Sequence, residues 1–301
     1  MPKVLITGAM GFLGRQCTKA FLHEGFDVIT TDKISGAEVI GDLTDSHFVS
    51  QLPAVDTVVN CAAVQYVTPR KPVFRKQFFY NNNVLSTKLL TEKYKETSHF
   101  IHVGTSMMYE SGEQDLTEVT PLAGNGIYSQ SKCEAQKFVL NIRNSSTVIP
   151  CIIGGVGREG LFRPFVNMIK SSPIALIPGD GIKPIHMVHV EDVASLIVLI
   201  AKKRCLGFYN AASPGPLSIR EWIRIIAKTI GQEPPLVMSI PIELVSTLTA
   251  LTGYRLLARE QLLMLKSRHV LCIEKSLKLG WRPMNSNLDI STQIAKYILA
   301  S

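Results

Sequence analysis

The chain has 301 residues, of which 46% are apolar and 19% charged, so it is long and apolar enough to bury a sizeable core and is not a disordered protein. Its net charge of +8 suits an acidic ligand, but the basic residues are dispersed and form no recognition module, which argues against a nucleic-acid partner. Six cysteines without zinc-ligand or C-x-x-C spacing, no signal sequence and no apolar run of the roughly 20 residues that span a bilayer together predict a cytoplasmic protein.

Short β-branched runs alternate with helical patterns through the first half of the chain. "KVLITG" and "FDVITTD" are typical of buried strands, and "GFLGRQCTKAFLHEG" between them is an amphipathic helix closed by Gly25. "DTVVNCAA", "HFIHVGTS" and "TVIPCII" read as further strands, with the helical "NNVLSTKLLTEKYKE" among them. Strands that are apolar on both faces and alternate with helices predict an α/β fold with a doubly wound parallel sheet, the Rossmann architecture.

The alternation breaks after about Gly154, where glycine and proline become frequent as far as Gly181. "IHMVHVEDVASLIVLIAKK" then returns to a strand and a helix, "LSIREWIRIIAKTIG" is another amphipathic helix, and residues 240–271 are helical with apolar stripes. We therefore predict a Rossmann domain over 1–153, to which 185–212 return. The remaining segments, 154–184 and 213–301, are predicted to form a smaller, discontinuous C-terminal substrate-binding lobe.

A glycine triplet, Gly8, Gly11 and Gly14, follows the first strand directly and opens the first helix. Such a loop lets the backbone turn tightly and approach a pyrophosphate, which the helix N-terminus then binds. The second strand ends at Asp32, whose carboxylate suits the ribose hydroxyls of NAD and repels the 2'-phosphate of NADP. We predict NAD as the cofactor, while Lys33 beside Asp32 leaves NADP open.

A tyrosine and a lysine stand four residues apart in "YSQSK", at Tyr128 and Lys132. On a helix they share a face, and a neighbouring ammonium lowers the pKa of a phenol from its usual ~10. The strand "HFIHVGTS" ends in the hydroxyls of Thr105 and Ser106, at the sheet edge where doubly wound folds bind their ligands. These groups predict acid/base chemistry on a substrate hydroxyl beside a nicotinamide.

With these features the chain resembles the extended short-chain dehydrogenases/reductases, the NAD-dependent epimerase/dehydratase family. The resemblance rests on the glycine triplet, Asp32, "GDLTD", "NCAA", "NNNV", "GTSMMY", "YSQSK", "VHVEDVA" and "LGWRP", which occur in family order over nearly the whole chain. The family's roles, carried onto matching positions, imply Asp42 and Leu43 at the adenine, Ala62 beside the phosphates and ribose, and Asn83 on the helix towards the nicotinamide. They also imply Tyr128 as the acid/base, Lys132 as the ribose-holding lysine and Thr105 as the catalytic hydroxyl, preferred to Ser106 because it stands four residues before Tyr109.

Two departures from the family pattern bear on the substrate. Family dehydratases carry carboxylates just after the threonine, but Ser106, Met107 and Met108 follow here, so we do not expect dehydration. Nucleotide-sugar members usually carry arginine or asparagine at or near the positions of Ile149, Ile152 and Ile185, so their diphosphate contacts are missing unless Arg158 or Arg163 replaces them. Met107, Met108, Val64 and Tyr66 favour an apolar pocket.

The C-terminal pattern is similar to that of 3β-hydroxysteroid dehydrogenase-like members. The expected function is therefore an NAD(P)-dependent oxidoreductase that interconverts a secondary alcohol and a ketone on an apolar or lipid-linked small molecule. A sugar 4-epimerase, on a nucleotide- or lipid-linked sugar, is the alternative that uses the same residues. A non-catalytic NAD(P)-binding regulator is the alternative of a different class.

Three expectations concern partners and metals. Family members often dimerise through two helices, which here start near Asn81 and Tyr128, so a homodimer is expected. Contact of the stripe at 240–253 and its neighbours Arg255, Arg259, Lys266 and Arg268 with an anionic membrane is not favoured over a capping helix. No metal site is expected, because His186 and His189 point to opposite faces of a strand, and Asp192 is expected to cap the helix that follows.

Overall fold

The computed structural model describes residues 1–65, 75–160, 162–251 and 259–301. Tyr66, which the sequence places in the pocket, and Arg255, which it places beside the apolar stripe, lie outside the described residues.

Eleven strands lie in the described ranges, and all their pairings are parallel. They are β1 (Lys3–Thr7), β2 (Asp27–Asp32), β3 (Val39–Ile40), β4 (Thr57–Asn60), β5 (His99–Val103), β6 (Ser145–Pro150), β7 (Ile152–Gly154), β8 (Ile174–Pro178), β9 (Met187–His189), β10 (Gly207–Ala211) and β11 (Leu236–Ile240).

The α-helices of the described ranges are α1 (Phe12–His23), α2 (Ser46–Gln51), α3 (Arg75–Phe79), α4 (Ser86–Tyr94), α5 (Ile127–Leu140), α6 (Phe162–Ser171), α7 (Val190–Lys203), α8 (Ile219–Thr229), α9 (Ile242–Leu251), α10 (Arg259–Lys266), α11 (Glu274–Lys278) and α12 (Asn287–Ala300). A π-helical stretch, Tyr80–Leu85, joins α3 to α4, and a 3-10 turn, Ser106–Met108, follows β5.

The seven strands of the main sheet run in the order β3-β2-β1-β4-β5-β6-β10. Successive strands are added on one side of β1 as far as β3 and on its other side from β4 onward. This change leaves a crevice at the carboxyl ends of β1 and β4, which is the ligand-binding position of doubly wound folds. The predicted α/β fold with a doubly wound parallel sheet is confirmed.

Helices cover both faces of this sheet. On one face α1 packs against α7, and both contribute to a core with the fully buried strand residues Val4, Ile6 and Val59. On the other face α4 and α5 lie side by side and close a second core around Leu5, Leu90 and Val139. Burial on both sides explains why β1, β4 and β5 read as continuous apolar runs.

A third core lies outside the main sheet. It joins α6, α8, α10 and α12 with the two-stranded pair β8–β11 and contains Val166, Ile177 and Ile223. β7 and β9 form another two-stranded sheet, in which Ile152 pairs with Met187. Among the described residues no helix combines the length and apolarity needed to cross a membrane.

The expected helix cap at Asp192 is wrong. α7 begins at Val190, and its N-cap is His189, whose Nδ1 accepts from Glu191 N at 3.4 Å. Asp192 lies inside the first turn, where its carboxylate accepts from the backbone amides of Met284 and Asn285 and so fixes the segment that follows "LGWRP". The strand histidines have separate partners, since His186 Nδ1 accepts from Leu271 N. In the described ranges no group of three metal-ligating side chains is present.

Candidate active site

Two adjoining cavities open at the carboxyl ends of the sheet strands. The larger, of about 540 Å³, is lined by the loops that follow β1, β4, β5 and β6, and the smaller, of about 270 Å³, lies towards β2 and β3. Gly8 and Gly11 line both. The predicted site residues divide between them: Gly14, Thr105, Tyr128 and Lys132 line the larger cavity, and Asp32, Asp42, Leu43 and Ala62 line the smaller.

The glycine loop fits a dinucleotide. Gly8 has a φ of +62°, which favours glycine, and a Cβ there would lie 2.7 Å from Ala62 Cα. Gly11 caps α1 without any side-chain hydrogen bond, and the first turn of α1 contains no acidic residue. The amides of that turn and the positive end of the helix dipole are therefore available to a pyrophosphate.

Asp32 occupies the end of β2, at the rim of the smaller cavity. Its Oδ2 accepts from Met10 N at 3.0 Å and its Oδ1 accepts from Lys33 N at 2.7 Å, so the carboxylate is held in one orientation. Lys33 lines the same cavity but donates from Nζ to Asn82 Oδ1 at 3.2 Å. The arrangement suits the ribose hydroxyls of NAD better than the 2'-phosphate of NADP.

Asn83 lines neither cavity and has a different environment. It is buried in the π-helical stretch, where its Oδ1 accepts from Val64 N at 2.8 Å and its Nδ2 donates to Ser131 Oγ at 2.9 Å. Asn83 therefore ties the loop after β4 to α5. A contact between Asn83 and the cofactor stays a prediction.

Lys132 is 2% exposed, and its ammonium lies among buried groups of β5. Nζ donates to Val103 O at 2.7 Å and lies 3.2 Å from His102 Nε2. Burial lowers the pKa of Lys132 to about 8. Burial, together with the charge of Lys132, holds the pKa of His102 well below its usual value, so this ring is neutral at physiological pH.

Tyr128 is one turn away on the same helix and is 8% exposed. Its ring packs against Phe79, with centroids 6.1 Å apart, and its edge lines the larger cavity beside Lys132. The packing of the ring limits the directions in which the phenol oxygen can point. Tyr128 and Lys132 thus face the same space as the glycine loop.

Thr105 and Ser106 come from the end of β5, opposite α5. Thr105 Oγ1 accepts from Met107 N at 3.4 Å, which leaves its hydroxyl hydrogen available to a substrate oxygen. Ser106 Oγ lies 2.7 Å from Nε2 of His269. Burial lowers the pKa of His269 to about 4, so the group nearest to Ser106 is a neutral imidazole and not a carboxylate.

The rest of the larger cavity is mostly apolar. Met107 and Val64 line it, as expected, together with Ile153, Phe162 and Met264, whereas Met108 is fully buried outside it.

Of the isoleucines at the expected arginine and asparagine positions, Ile152 lines the cavity and Ile149 and Ile185 are buried in the cores. Of the two arginines that were expected to compensate, only Arg158 reaches the cavity. Its guanidinium donates to Gln65 Oε1 at 3.0 Å and stacks over Phe12 at 5.6 Å, while Arg163 pairs with Glu159.

The sequence did not predict every lining residue. Gln261 and Met264, on α10, line the larger cavity although they lie more than 130 positions after Tyr128 in the chain. Nothing in the local pattern of "REQLLMLK" distinguishes these residues from the core face of an ordinary helix. His102, beside Lys132, was equally inconspicuous, as one of two histidines within an otherwise apolar strand.

Comparison with known proteins finds curated relatives that align with about three quarters of the chain. Curated relatives include the low-salt glycan biosynthesis protein Agl12 of Haloferax volcanii, 26% identical, with 76% of this chain and 82% of the relative aligned. They also include a 3-beta-hydroxysteroid dehydrogenase of Mycolicibacterium neoaurum, 22% identical, with 77% and 71% aligned.

Solved structures with the same fold cover nearly the whole chain. A dTDP-glucose 4,6-dehydratase of Bacillus anthracis in complex with NAD is 19% identical, with a TM-score of 0.78 over 100% of this chain and 97% of the other. A UDP-glucuronic acid 4-epimerase of Bacillus cereus, also in complex with NAD, is 18% identical, with a TM-score of 0.76 over 99% of both chains. At these identities the likeness shows the fold alone.

The family is shown by a sequence model that matches residues 4–212, more than two thirds of the chain. Its description, the NAD dependent epimerase/dehydratase family, names the cofactor that the sequence predicts. This description refers to epimerases and dehydratases, and the curated relatives include a dTDP-4-dehydrorhamnose reductase and a dTDP-glucose 4,6-dehydratase. The expectation of an NAD-dependent enzyme is confirmed at the level of the family, while the reaction type stays a prediction. The chain therefore belongs to the NAD-dependent epimerase/dehydratase family.

Proposed function

We propose that this chain is an NAD(H)-dependent oxidoreductase that interconverts a secondary alcohol and a ketone. The observation that carries the proposal is the convergence of Tyr128, Lys132 and Thr105 on one cavity with the glycine loop. In support, these residues come from two separate elements, α5 and the turn after β5, and line the same cavity. Cofactor, acid/base and substrate oxygen would then meet in one cavity.

The site residues have distinct roles in this proposal. Bound NAD would supply the hydride acceptor for the carbinol hydrogen. Tyr128 takes the hydroxyl proton of the alcohol at its phenol oxygen, and Lys132, four residues on, favours the phenolate form and holds the ribose. Thr105 donates from Oγ1 to the substrate oxygen and holds it against Tyr128. In the reductive direction Tyr128 returns the proton to the same oxygen.

The substrate lobe is proposed to consist of 154–184 and 213–301, with 185–212 belonging to the Rossmann domain. In support, β10 joins the main sheet, whereas Phe162 and Met264 reach the cavity from the third core. The apolar lining favours a substrate with a hydrophobic part, such as a sterol-like or lipid-linked alcohol. The neutral Ser106–His269 pair offers no acid for the elimination of water, so dehydration is not proposed.

A sugar 4-epimerase is the second candidate, because Arg158 gives the cavity a guanidinium that suits a phosphate or diphosphate. The names of several relatives also refer to sugar nucleotides. In an epimerase the hydride returns to the opposite face of the ketone, so the same three residues serve. A lipid-linked sugar would engage both the apolar lining and Arg158.

A substrate screen distinguishes these candidates. The enzyme is incubated with NAD and, separately, a 3β-hydroxysteroid, a polyprenyl-linked sugar, dTDP-glucose or UDP-galactose. Net NADH absorbance identifies a dehydrogenase, and a new epimer on chromatography without NADH identifies an epimerase. A 4,6-dehydrated product would contradict the proposal. If NADH binds but no compound of the panel reacts, a non-catalytic NAD(P)-binding regulator becomes the better description.

A further inference from the structure

The helix that carries Tyr128 begins without a side-chain cap of its own. Its N-cap residue is Gly126, which has no side chain to bond the amides of the first turn. Two of these amides donate to Glu260, whose Oε1 accepts from Tyr128 N at 3.0 Å and from Ser129 N at 3.2 Å. The cap of α5 is therefore supplied by α10, from a distant part of the chain.

Glu260 is 7% exposed, so its carboxylate is removed from water. A buried carboxylate is destabilising unless donors and a positive potential compensate it. Both are present, since the two amides donate to it and the N-terminal end of the 14-residue helix α5 carries positive dipole charge. The contact is a charge-assisted cap, stronger than one from a neutral side chain.

The absence of a side chain at Gly126 leaves room for the carboxylate of Glu260. A Cβ on Gly126 would overlap Glu260, whose carboxyl group supplies its three nearest atoms. The backbone itself does not require glycine, because the φ of −142° at Gly126 is ordinary extended geometry. The space that Gly126 leaves open is the space that Glu260 occupies.

The helix α10 also lines the substrate side of the cavity. Gln261 and Met264 face the larger cavity, while Glu260 of the same turn contacts the start of α5. One eight-residue helix thus touches both the space for substrate and the backbone of the proposed acid/base. Because Glu260 bonds the amide of Tyr128 itself, any shift of α10 is passed to that residue.

We propose that Glu260 is a positioning residue: by capping α5 from the substrate lobe, it fixes Tyr128 in the cavity and couples its position to the substrate contacts of α10. The proposal rests on the role of Tyr128 in the proposed function. Glu260 takes no part in proton or hydride transfer. Its effect is on the alignment of the phenol, to which turnover is sensitive at the scale of an ångström.

The test compares Glu260→Ala, Glu260→Gln and Gly126→Ala in the full-length chain. Glu260→Ala removes the cap, so kcat for the alcohol found in the screen should fall about tenfold or more while the affinity for NADH stays within about threefold. Glu260→Gln keeps an acceptor oxygen in place and should recover kcat to within about threefold of the wild type. Glu274→Gln, an exposed glutamate on α11, is the control for loss of one carboxylate.

Gly126→Ala tests the same contact without altering Glu260. The new methyl group displaces the carboxylate, so this variant should show the kcat loss of Glu260→Ala. In the Glu260→Ala background the same change should have little further effect, because the two substitutions remove one interaction. Additive losses, an unchanged kcat in Glu260→Ala, or equal losses in the Ala and Gln variants would each overturn the proposal.

Amide hydrogen exchange keeps the test independent of the substrate. In the NADH complex, exchange over residues 127–131 should be faster in Glu260→Ala than in the wild type and near wild type in Glu260→Gln. If no alcohol is turned over, the proposed function fails while this measurement still decides whether Glu260 caps α5. Unchanged exchange in Glu260→Ala would contradict the proposal that Glu260 caps α5.

Discussion

The buried ammonium of Lys132 opposes folding. Its folded pKa of about 8 lies below the ordinary 10.5, which means that burial disfavours the charged form. Between these values the unfolded chain holds a proton that the folded chain has released. The folded state therefore gains stability as the pH rises through this window, and below about pH 8 the full penalty remains.

Replacement of Lys132 by methionine should make this penalty visible. At pH 7 we expect Lys132→Met to raise the free energy of unfolding by roughly 1 to 2 kcal/mol, because removal of the charge outweighs the lost bond to Val103 O. The gain should shrink as the pH rises from about 8 towards 10.5. Urea unfolding at several pH values measures it, with the exposed Lys137→Met on the same helix as control. A destabilised Lys132→Met variant at pH 7 would contradict this account.

Asp32 should set the choice of cofactor. Because its carboxylate is held at the rim of the smaller cavity, where we propose that the cofactor ribose binds, we expect NADH to bind about tenfold or more tightly than NADPH. Asp32→Asn removes the repulsion of a 2'-phosphate beside Lys33 and should narrow or invert that ratio. Fluorescence titration with both nucleotides measures it, and Glu38→Gln, an exposed change nearby, should leave the ratio alone. Tighter NADPH binding in the wild type would refute the NAD preference.

At the scale of single residues, the sequence predicted the groups whose spacing is local. Tyr128 and Lys132 stand one turn apart, and the glycine triplet lies within one loop, so their geometry follows from helix and turn periodicity. Glu260, Gln261 and His269 could not be predicted in this way. Their positions depend on how C-terminal segments, distant in the chain, pack near the sheet. Local patterns in one sequence do not indicate that packing.

At the scale of elements, two glycines of the segment that joins β1 to α1 have different surroundings. Gly14 is buried inside α1, and a Cβ there would overlap the carbonyl oxygen of Gly8. Gly11 is exposed at the cavity that is proposed to bind NAD, and a Cβ there would lie 3.1 Å from the same oxygen.

The two alanine variants should therefore differ. Gly14→Ala should lower the free energy of unfolding by about 1 to 3 kcal/mol or more, because backbone atoms must move. Gly11→Ala should change that free energy by less than about 1 kcal/mol but weaken NADH binding about tenfold or more. Thermal unfolding and NADH titration separate the two effects. Equal destabilisation by both variants would contradict the prediction that Gly14 is needed for packing and Gly11 for NADH binding.

Element prediction succeeded where burial is two-sided and failed where it is partial. β1, β4, β5 and α1 have strong apolar patterns, and the structure contains them. β8 was missed because its exposed Ile174 and Leu176 are as apolar as its buried Ala175 and Ile177, in a region rich in glycine and proline, so no apolar/polar alternation is visible. β11 was missed because none of its residues is buried. The π-helical stretch at Tyr80–Leu85 was also missed, since its composition is that of an ordinary helix.

On the scale of the whole molecule, the predicted homodimer would use α5 and the helix that starts near Asn81. These helices lie side by side on one face of the sheet, and α5 exposes Leu140 and part of Phe138. Light scattering after gel filtration should give about twice the 33.2 kDa of one chain. Phe138→Glu should shift the mass towards one chain, and Leu22→Glu, on the opposite face, should not. A wild-type monomer at micromolar concentration would remove this expectation.

The membrane contact that the sequence did not favour has its own test. Leu244, Leu248 and Leu251 on α9 are more than half exposed and share one face, which suits either a protein or a lipid surface. We expect no co-sedimentation with vesicles that contain anionic lipid. Binding that Leu248→Ser abolishes would reverse this expectation.

The central claim is that Tyr128 performs acid/base chemistry beside bound NAD, and Tyr128→Phe tests it most directly. The substitution removes one oxygen and keeps the ring that packs on Phe79. Turnover of the alcohol found in the screen should fall by about 10²-fold or more, while the dissociation constant for NADH, measured on the same sample, stays within about threefold. If Tyr128→Phe turned over at the wild-type rate, or lost NADH binding together with activity, the account of this site would be wrong.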